Sequence, residues 1–186
     1  MEKRSQKTSA GLIRIAITGP ESTGKSQLTE QLAAHYKTVF VPEFARDYVE
    51  SLGREYNFED LELIAKGQIR MQKAAEKKAG RLLFCDTELT VIKIWGEHKY
   101  NKCPAWVSEN LSKYTYDLYL LCNVDLPWEF DPLREHPRLR TYFFDWYQRE
   151  LTSRNANFAV VEGTGIARFQ KALGFIEEQL QKKAGT

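Results

Sequence analysis

Apolar residues along this chain fall into two alternating rhythms. Short unbroken runs recur at residues 12–17, 38–42, 81–87, 116–123 and 158–162. Runs this short, rich in Ile, Val, Leu and Phe and not alternating with polar residues, predict strands covered on both faces. Between them the spacing changes to that of helices. Leu28, Leu32 and Ala33 mark a helix over 26–36, and Phe44, Tyr48 and Leu52 a second one that stops at Gly53. Asn57 is placed to cap a long helix over 58–78, whose apolar face is Phe58, Leu61, Ile64, Ala65, Met71 and Ala75 and which ends before Gly80. Further helices are predicted over 88–95, over 104–113 behind Pro104, over 139–153, and after residue 165 with Phe169, Leu173, Ile176 and Leu180 inward. Strands alternating with helices predict an α/β domain: a five-stranded parallel sheet with helices on both faces. The break at 96–104 is too short for a domain boundary. One domain over 12–183 is therefore expected, with a flexible tail at 1–11 and fraying from Lys182 onward. Residues 125–140 hold three prolines, four acids and three arginines, a poor core element that predicts a mobile lid.

Composition narrows the partners. The net charge of +2 over 186 residues gives no electrostatic case for nucleic acid or a membrane surface, and no apolar stretch reaches the length of a membrane span. The first nine residues are charged and polar with no apolar core, unlike a secretory signal. Three cysteines without paired spacing argue against a disulfide framework or a zinc site; Cys85 and Cys122 lie in apolar runs and read as small buried hydrophobes. His35, His98 and His136 are far apart in sequence and read as surface or packing residues. Free thiols and no export signal lead us to expect a cytoplasmic protein. Oligomeric state is not legible.

The chemistry begins at Gly19-Pro20-Glu21-Ser22-Thr23-Gly24-Lys25-Ser26, the G-x-x-x-x-G-K-S spacing of a phosphate-binding (Walker A) loop, set between a strand and a helix. Gly19 and Gly24 let the backbone approach phosphate, and successive N–H groups of Glu21, Ser22, Thr23, Gly24 and the following Gln27 turn form an anion nest at a helix N-terminus. Lys25 is expected on the β- and γ-phosphates and the Ser26 hydroxyl on Mg²⁺. A nucleoside triphosphate is the expected cofactor. The run Leu82-Leu83-Phe84-Cys85-Asp86 has the Walker B form, which puts Asp86 at the Mg²⁺ site; the competing reading is a strand ending at a helix-capping Asp.

Three classes of P-loop protein compete. A switch GTPase needs D-x-x-G after its third strand and N-K-x-D after its fourth; this chain has Asp86-Thr87-Glu88-Leu89 and Asn123-Val124-Asp125-Leu126. A remodelling ATPase usually has a second acid directly after the Walker B acid, where this chain has Thr87. A kinase needs an acid near the acceptor hydroxyl and a basic lid, and Glu43, Asp86 and the lid arginines Arg134, Arg138 and Arg140 supply both. A protein that binds ATP as a sensor and transfers nothing is the surviving alternative.

The Walker A run, Pro42-Glu43-Phe44-Ala45-Arg46-Asp47-Tyr48, Gln68, Phe84-Cys85-Asp86-Thr87 and Pro127-Trp128-Glu129-Phe130-Asp131-Pro132-Leu133-Arg134 together resemble the ribosylnicotinamide kinase domain of NadR-type proteins. The resemblance runs in consistent order from residue 13 to about 180. It implies ATP-dependent phosphorylation of the 5′-hydroxyl of nicotinamide riboside or a related nucleoside, on a P-loop kinase fold. Two departures stand out. NadR-type proteins usually carry an adenylyltransferase domain ahead of the kinase, and the dozen residues before the first strand leave no expectation of one here. Pro42 stands where members that hold the nicotinamide ring tend to have an aromatic residue, so the nucleoside stays open.

Glu43 or Asp86 is then the general base or hydroxyl-orienting group; Glu43 also reads as an acid facing a helix dipole. Arg46, one turn on, pairs with Glu43 or meets substrate. Gln68, Thr87 and Trp128 are further substrate candidates, although Gln68 also reads as a helix boundary residue and Trp128 as loop packing. Arg134 is the leading lid residue for the transferred phosphoryl group, with Arg138 second. Thr164 and Gly165, after the fifth strand, are candidates for the adenine, or an ordinary turn.

Overall fold

In the computed structural model, which describes residues 11–185, every apolar run of the sequence forms a strand. These are β1 (Ile13–Thr18), β2 (Phe40–Val41), β3 (Leu82–Asp86), β4 (Leu118–Cys122) and β5 (Phe158–Val161). They pair in parallel throughout, in the order β2-β3-β1-β4-β5. The expected tail lies, but for Gly11, outside the described residues.

Alternation along the strands sorts the core into two layers. Ile13, Ile15, Ile17, Phe84, Leu118 and Leu120 pack against α1 (Lys25–His35) and α7 (Gly165–Ala184). Ala16, Leu83, Cys85, Tyr119 and Leu121 point the other way, onto α6 (Arg140–Ser153) and Ile94 of α4 (Leu89–Tyr100). A third cluster ties α4 to α2 (Phe44–Ser51), α3 (Phe58–Glu76) and α5 (Ala105–Asn110) through Leu61, Ile64, Ile69, Ile92 and Val107. Both Cys85 and Cys122 are buried free thiols, as their apolar setting indicated.

Several boundaries differ from the pattern. β2 keeps only two residues, Phe40 and Val41, paired to Phe84 and Cys85 of β3 at one edge of the sheet. α4 runs through Gly96 to Tyr100 instead of stopping near 95. Gly96 is there for space: a Cβ would lie 2.8 Å from the Lys102 carbonyl and 3.2 Å from Pro104. Pro104 is the N-cap of α5, and that helix is only six residues long. α7 continues to Ala184, past the expected fraying point, because Ala172 and Ile176 seat it on the sheet.

Candidate active site

The ends of β1 and β3 carry the site. Between β1 and α1 the chain makes the glycine loop, with Gly19 at φ 129° and Gly24 at φ 71°. An added Cβ would sit 2.9 Å from the Cys122 carbonyl at Gly19 and 2.7 Å from Leu126 at Gly24, so both positions need glycine on two counts. Lys25 Nζ donates to the Pro20 carbonyl at 2.7 Å, which folds the lysine back along its own loop.

At the end of β3, Asp86 is 2% exposed, and its Oδ1 has no hydrogen-bond partner among the described residues. Burial, and then the like charge of Glu43, push this carboxyl up to about 6, against the pull of Lys25 and the Ser26 hydroxyl. Asp86 is not a helix cap. That role belongs to Glu88, whose carboxylate accepts the Thr90 N–H at 2.8 Å and the Thr18 hydroxyl at 3.1 Å. Between them Thr87 takes φ 68°, an unfavourable left-handed conformation for a β-branched residue. Its N–H donates to the Ile17 carbonyl at 3.0 Å, locking the end of β3 to β1 beside the glycine loop.

A cavity of about 870 Å³ opens over the loop. Of the residues singled out in the sequence, Gly19, Glu21, Ser22, Thr23, Gly24, Lys25, Ser26 and Gln27 line it from the loop side. Glu43, Arg46 and Arg134 line it from elsewhere. Glu43 is the N-cap residue of α2, but its side chain makes no capping hydrogen bond, so the carboxylate is left to the cavity. Arg46 pairs with Asp131 at 2.8 Å rather than with Glu43. One wall is aromatic and aliphatic, with Tyr56, Val91, Ile94, Trp95, Phe143 and Tyr147, and charged residues such as Arg54, Lys99 and Glu135 border it. His98 and His136 pack edge to face, 4.7 Å between ring centres, which bears out packing for this pair.

Other candidates lie off this cavity. Gln68 is 4% exposed and its amide is committed to backbone. It accepts the Phe44 N–H at 2.8 Å and donates to the carbonyls of Pro42 (3.2 Å) and Asp86 (3.1 Å). Gln68 therefore fixes the ends of β2 and β3, and its amide keeps one lone pair beyond these backbone bonds. Trp128 lies against the Arg140 guanidinium, 5.8 Å from its ring centre, and Arg138 is exposed without a hydrogen bond or ion pair among the described residues. Thr164 is the exposed N-cap of α7; Gly165 lines a separate hollow of about 70 Å³ beside Gly24, Gln27 and Gln31.

The lid segment carries neither helix nor strand before Arg140, and it lies on the glycine loop. The Ser22 hydroxyl accepts the Glu129 N–H at 2.9 Å, and Arg134 reaches both that hydroxyl (3.4 Å) and the Glu129 carbonyl (2.7 Å). Two further arginines matter: Arg140, read from sequence only as one of the lid arginines, and Arg168, which the sequence reading passed over. Arg140 donates to the carbonyls of Ser22 (3.0 Å) and Leu126 (2.9 Å). Arg168 of α7, 5% exposed, donates to the Thr23 carbonyl at 2.7 Å and the Gly163 carbonyl at 3.1 Å. Its signal was present: Arg168, Ala172 and Ile176 recur every fourth residue on the buried stripe of the helix.

A glycine loop between strand and helix, an acid at the end of the adjacent strand and a parallel 2-3-1-4-5 sheet define a P-loop nucleotide-binding protein. The chain belongs to a family described as an AAA domain, whose model matches residues 14–168. It is 29% identical over 173 residues to the trifunctional NAD biosynthesis/regulator protein NadR of Escherichia coli (strain K12), covering 89% of this chain and 42% of that protein. The NadR of Salmonella typhimurium (strain LT2) matches with the same figures. The chain thus spans less than half the length of these relatives. Among solved structures, a NadR protein in complex with NR superposes with a TM-score of 0.78 at 19% identity, over 90% of this chain and 51% of that one. Thymidylate kinase from Ehrlichia chaffeensis gives 0.65 at 12% identity, over 89% and 99%. The resemblance to the NadR kinase domain thus holds in both sequence and fold.

Proposed function

We propose that this protein is an ATP-dependent kinase that phosphorylates the 5′-hydroxyl of nicotinamide riboside or a related nucleoside. The observation that carries the reading is the single cavity that joins the glycine loop and Lys25 to a free carboxylate, Glu43, and to an aromatic wall under a lid that carries Arg134. A kinase needs both substrates in one water-poor space, with an acid near the acceptor hydroxyl. Similarity to NadR supports the acceptor class.

The charges favour a nucleoside over a nucleoside phosphate. The cations on the acceptor side are each committed to a carboxylate: Arg46 to Asp131, Arg54 to Asp60 and Lys99 to Glu135. Among the described residues, no guanidinium is held in reserve there for an acceptor phosphate. Glu43, which faces the cavity, takes or orients the proton of the acceptor hydroxyl as its oxygen attacks the γ-phosphorus and ADP departs. Asp86, which does not line the cavity, fits the metal side of the site. Its buried, unpartnered Oδ1 and the neighbouring Ser26 hydroxyl would hold Mg²⁺, which neutralises phosphate charge when bound.

The test is ADP release with and without each of a set of nucleosides, nicotinamide riboside included, for wild type, Lys25→Ala, Asp86→Asn and Arg134→Ala. Nicotinamide riboside or another ribonucleoside is expected to stimulate turnover well above the water rate. Lys25→Ala and Asp86→Asn should each cost about 10²–10³ in rate. Arg134→Ala should lower the stimulated rate far more than it weakens ATP binding, because its contact belongs to the closed lid. Absence of stimulation by any nucleoside would leave an ATP-binding sensor.

A further inference from the structure

We infer that Glu21 is a positioning residue that latches the lid and, through it, ties the phosphate loop to the acceptor wall; this rests on the kinase reading above. A glycine loop that gathers N–H groups around phosphate gains nothing from a carboxylate turned onto the same anion. The Glu21 carboxylate is occupied elsewhere. It accepts the backbone N–H of Glu135 at 3.1 Å and that of His136 at 3.2 Å.

The side chain of Glu135 reaches the opposite wall. It accepts the Tyr56 hydroxyl at 2.8 Å and the Lys99 ammonium at 3.0 Å. Tyr56 comes from the connection between α2 and α3, and Lys99 from α4, so neither belongs to the phosphate loop or the lid. The Tyr56 oxygen is saturated: it donates to Glu135 and accepts from Trp95 Nε1 at 2.9 Å and from Lys99. Tyr56, Trp95 and Lys99 all line the cavity. Residues 135–136 are therefore a two-sided bridge, with backbone on Glu21 and side chain on the acceptor wall. An acceptor that steadies this wall steadies Glu135, and Glu21 passes the constraint to the loop that holds the triphosphate. Closure, and with it exclusion of water from the γ-phosphate, then depends on both ends.

Hydrogen exchange at the amides of residues 135 and 136 tests this without any need for turnover. Wild type should protect both. Glu21→Ala should lose protection by about tenfold or more, whereas Glu21→Gln, which keeps an acceptor oxygen, should retain most of it. Tyr56→Phe combined with Lys99→Met, which removes both bonds at the other end of the bridge, should lower protection at the same two amides. In kinetics, Glu21→Ala should hold ATP affinity within about threefold, lower acceptor-stimulated turnover about tenfold and raise the share of ADP formed without acceptor. Tyr56→Phe should repeat that pattern with a raised acceptor KM. Unchanged exchange in Glu21→Ala would overturn the latch. Unchanged exchange in the Tyr56→Phe, Lys99→Met double variant would overturn the link to the acceptor wall. ATP affinity falling in step with turnover in Glu21→Ala would make Glu21 a nucleotide ligand instead. If no nucleoside stimulates wild type, the kinase reading fails while the exchange data still decide the bridge.

Discussion

Asp60 is only 2% exposed, yet it stays charged. Arg54 grips it through two nitrogens at 2.7 and 2.9 Å, the Asn57 N–H closes a capping box at 2.7 Å, and the Tyr48 hydroxyl adds a bond at 2.8 Å. The pairing with Arg54, more than any other contact, holds the Asp60 carboxyl well below the usual carboxylate range. An unfolded Asp titrates near 4 (about 3.9), so below that value the unfolded chain takes the proton more readily than the folded one. Stability from Asp60 is thus complete at neutral pH, begins to drain below about 4 and is lost as pH falls on toward the lowered folded value. We expect Asp60→Asn to cost about 2 kcal/mol at pH 7 and to flatten the acid limb, as read by urea unfolding at pH 7 and pH 3. The Asn57 cap was legible from sequence because the cap and its reciprocal acid lie three residues apart. The Arg54 grip was not, since nothing in local spacing says which way an arginine in a loop will turn. Likewise Glu43 and Asp86 both read as acids at strand ends. Only Glu88 in the capping position and Glu43 on the cavity separate their roles.

Among the elements, α3 shows how packing overrides helix propensity. Gly67 lies inside it, where alanine would ordinarily be better by about 1 kcal/mol. A Cβ at that position would fall 2.0 Å from the Phe44 ring, the first residue of α2. The ring takes the space the glycine leaves, beside the bond from the Phe44 N–H to Gln68. Gly67→Ala should therefore destabilise, by about 1–3 kcal/mol, and Phe44→Leu in the same background should restore part of the loss. A urea midpoint that rises in Gly67→Ala would mean that propensity wins and α2 yields freely. Strands and helices themselves were readable because their burial is periodic in one dimension. Their ends were less so: Gly96 reads as a stop, but it meets a backbone carbonyl only once residues 102–104 fold back.

Across the whole molecule, the site is assembled by contacts between segments more than a hundred residues apart. Ser22 meets Glu129, Glu21 meets Glu135 and His136, and Thr23 meets Arg168. The glycine loop announces itself in sequence, since its letters are consecutive; the groups that hold it in place do not. Arg168 is the firmest of these. Removing its guanidinium leaves the Thr23 and Gly163 carbonyls and the Asp125 carboxylate short of a donor. We expect Arg168→Met to lower unfolding free energy by about 3–5 kcal/mol. We also expect it to weaken ATP binding, as measured by calorimetry. Full ATP affinity at reduced stability would show that the loop keeps its shape without α7.

The Arg168 staple also sets an order of events while the chain is being made. The glycine loop leaves the ribosome early, among the first elements of the domain, but its Thr23 carbonyl waits for a guanidinium 145 residues later. β1, its carrier, pairs with β3 and β4, so the sheet around it also fills in from distant sequence. Parallel pairings of this span form slowly. A nascent chain halted before α7 would carry the complete phosphate-binding motif in an unfinished cradle. Nucleotide capture would then wait on the docking of α7, and a bound nucleotide would favour chains with a closed cradle over those with an open one.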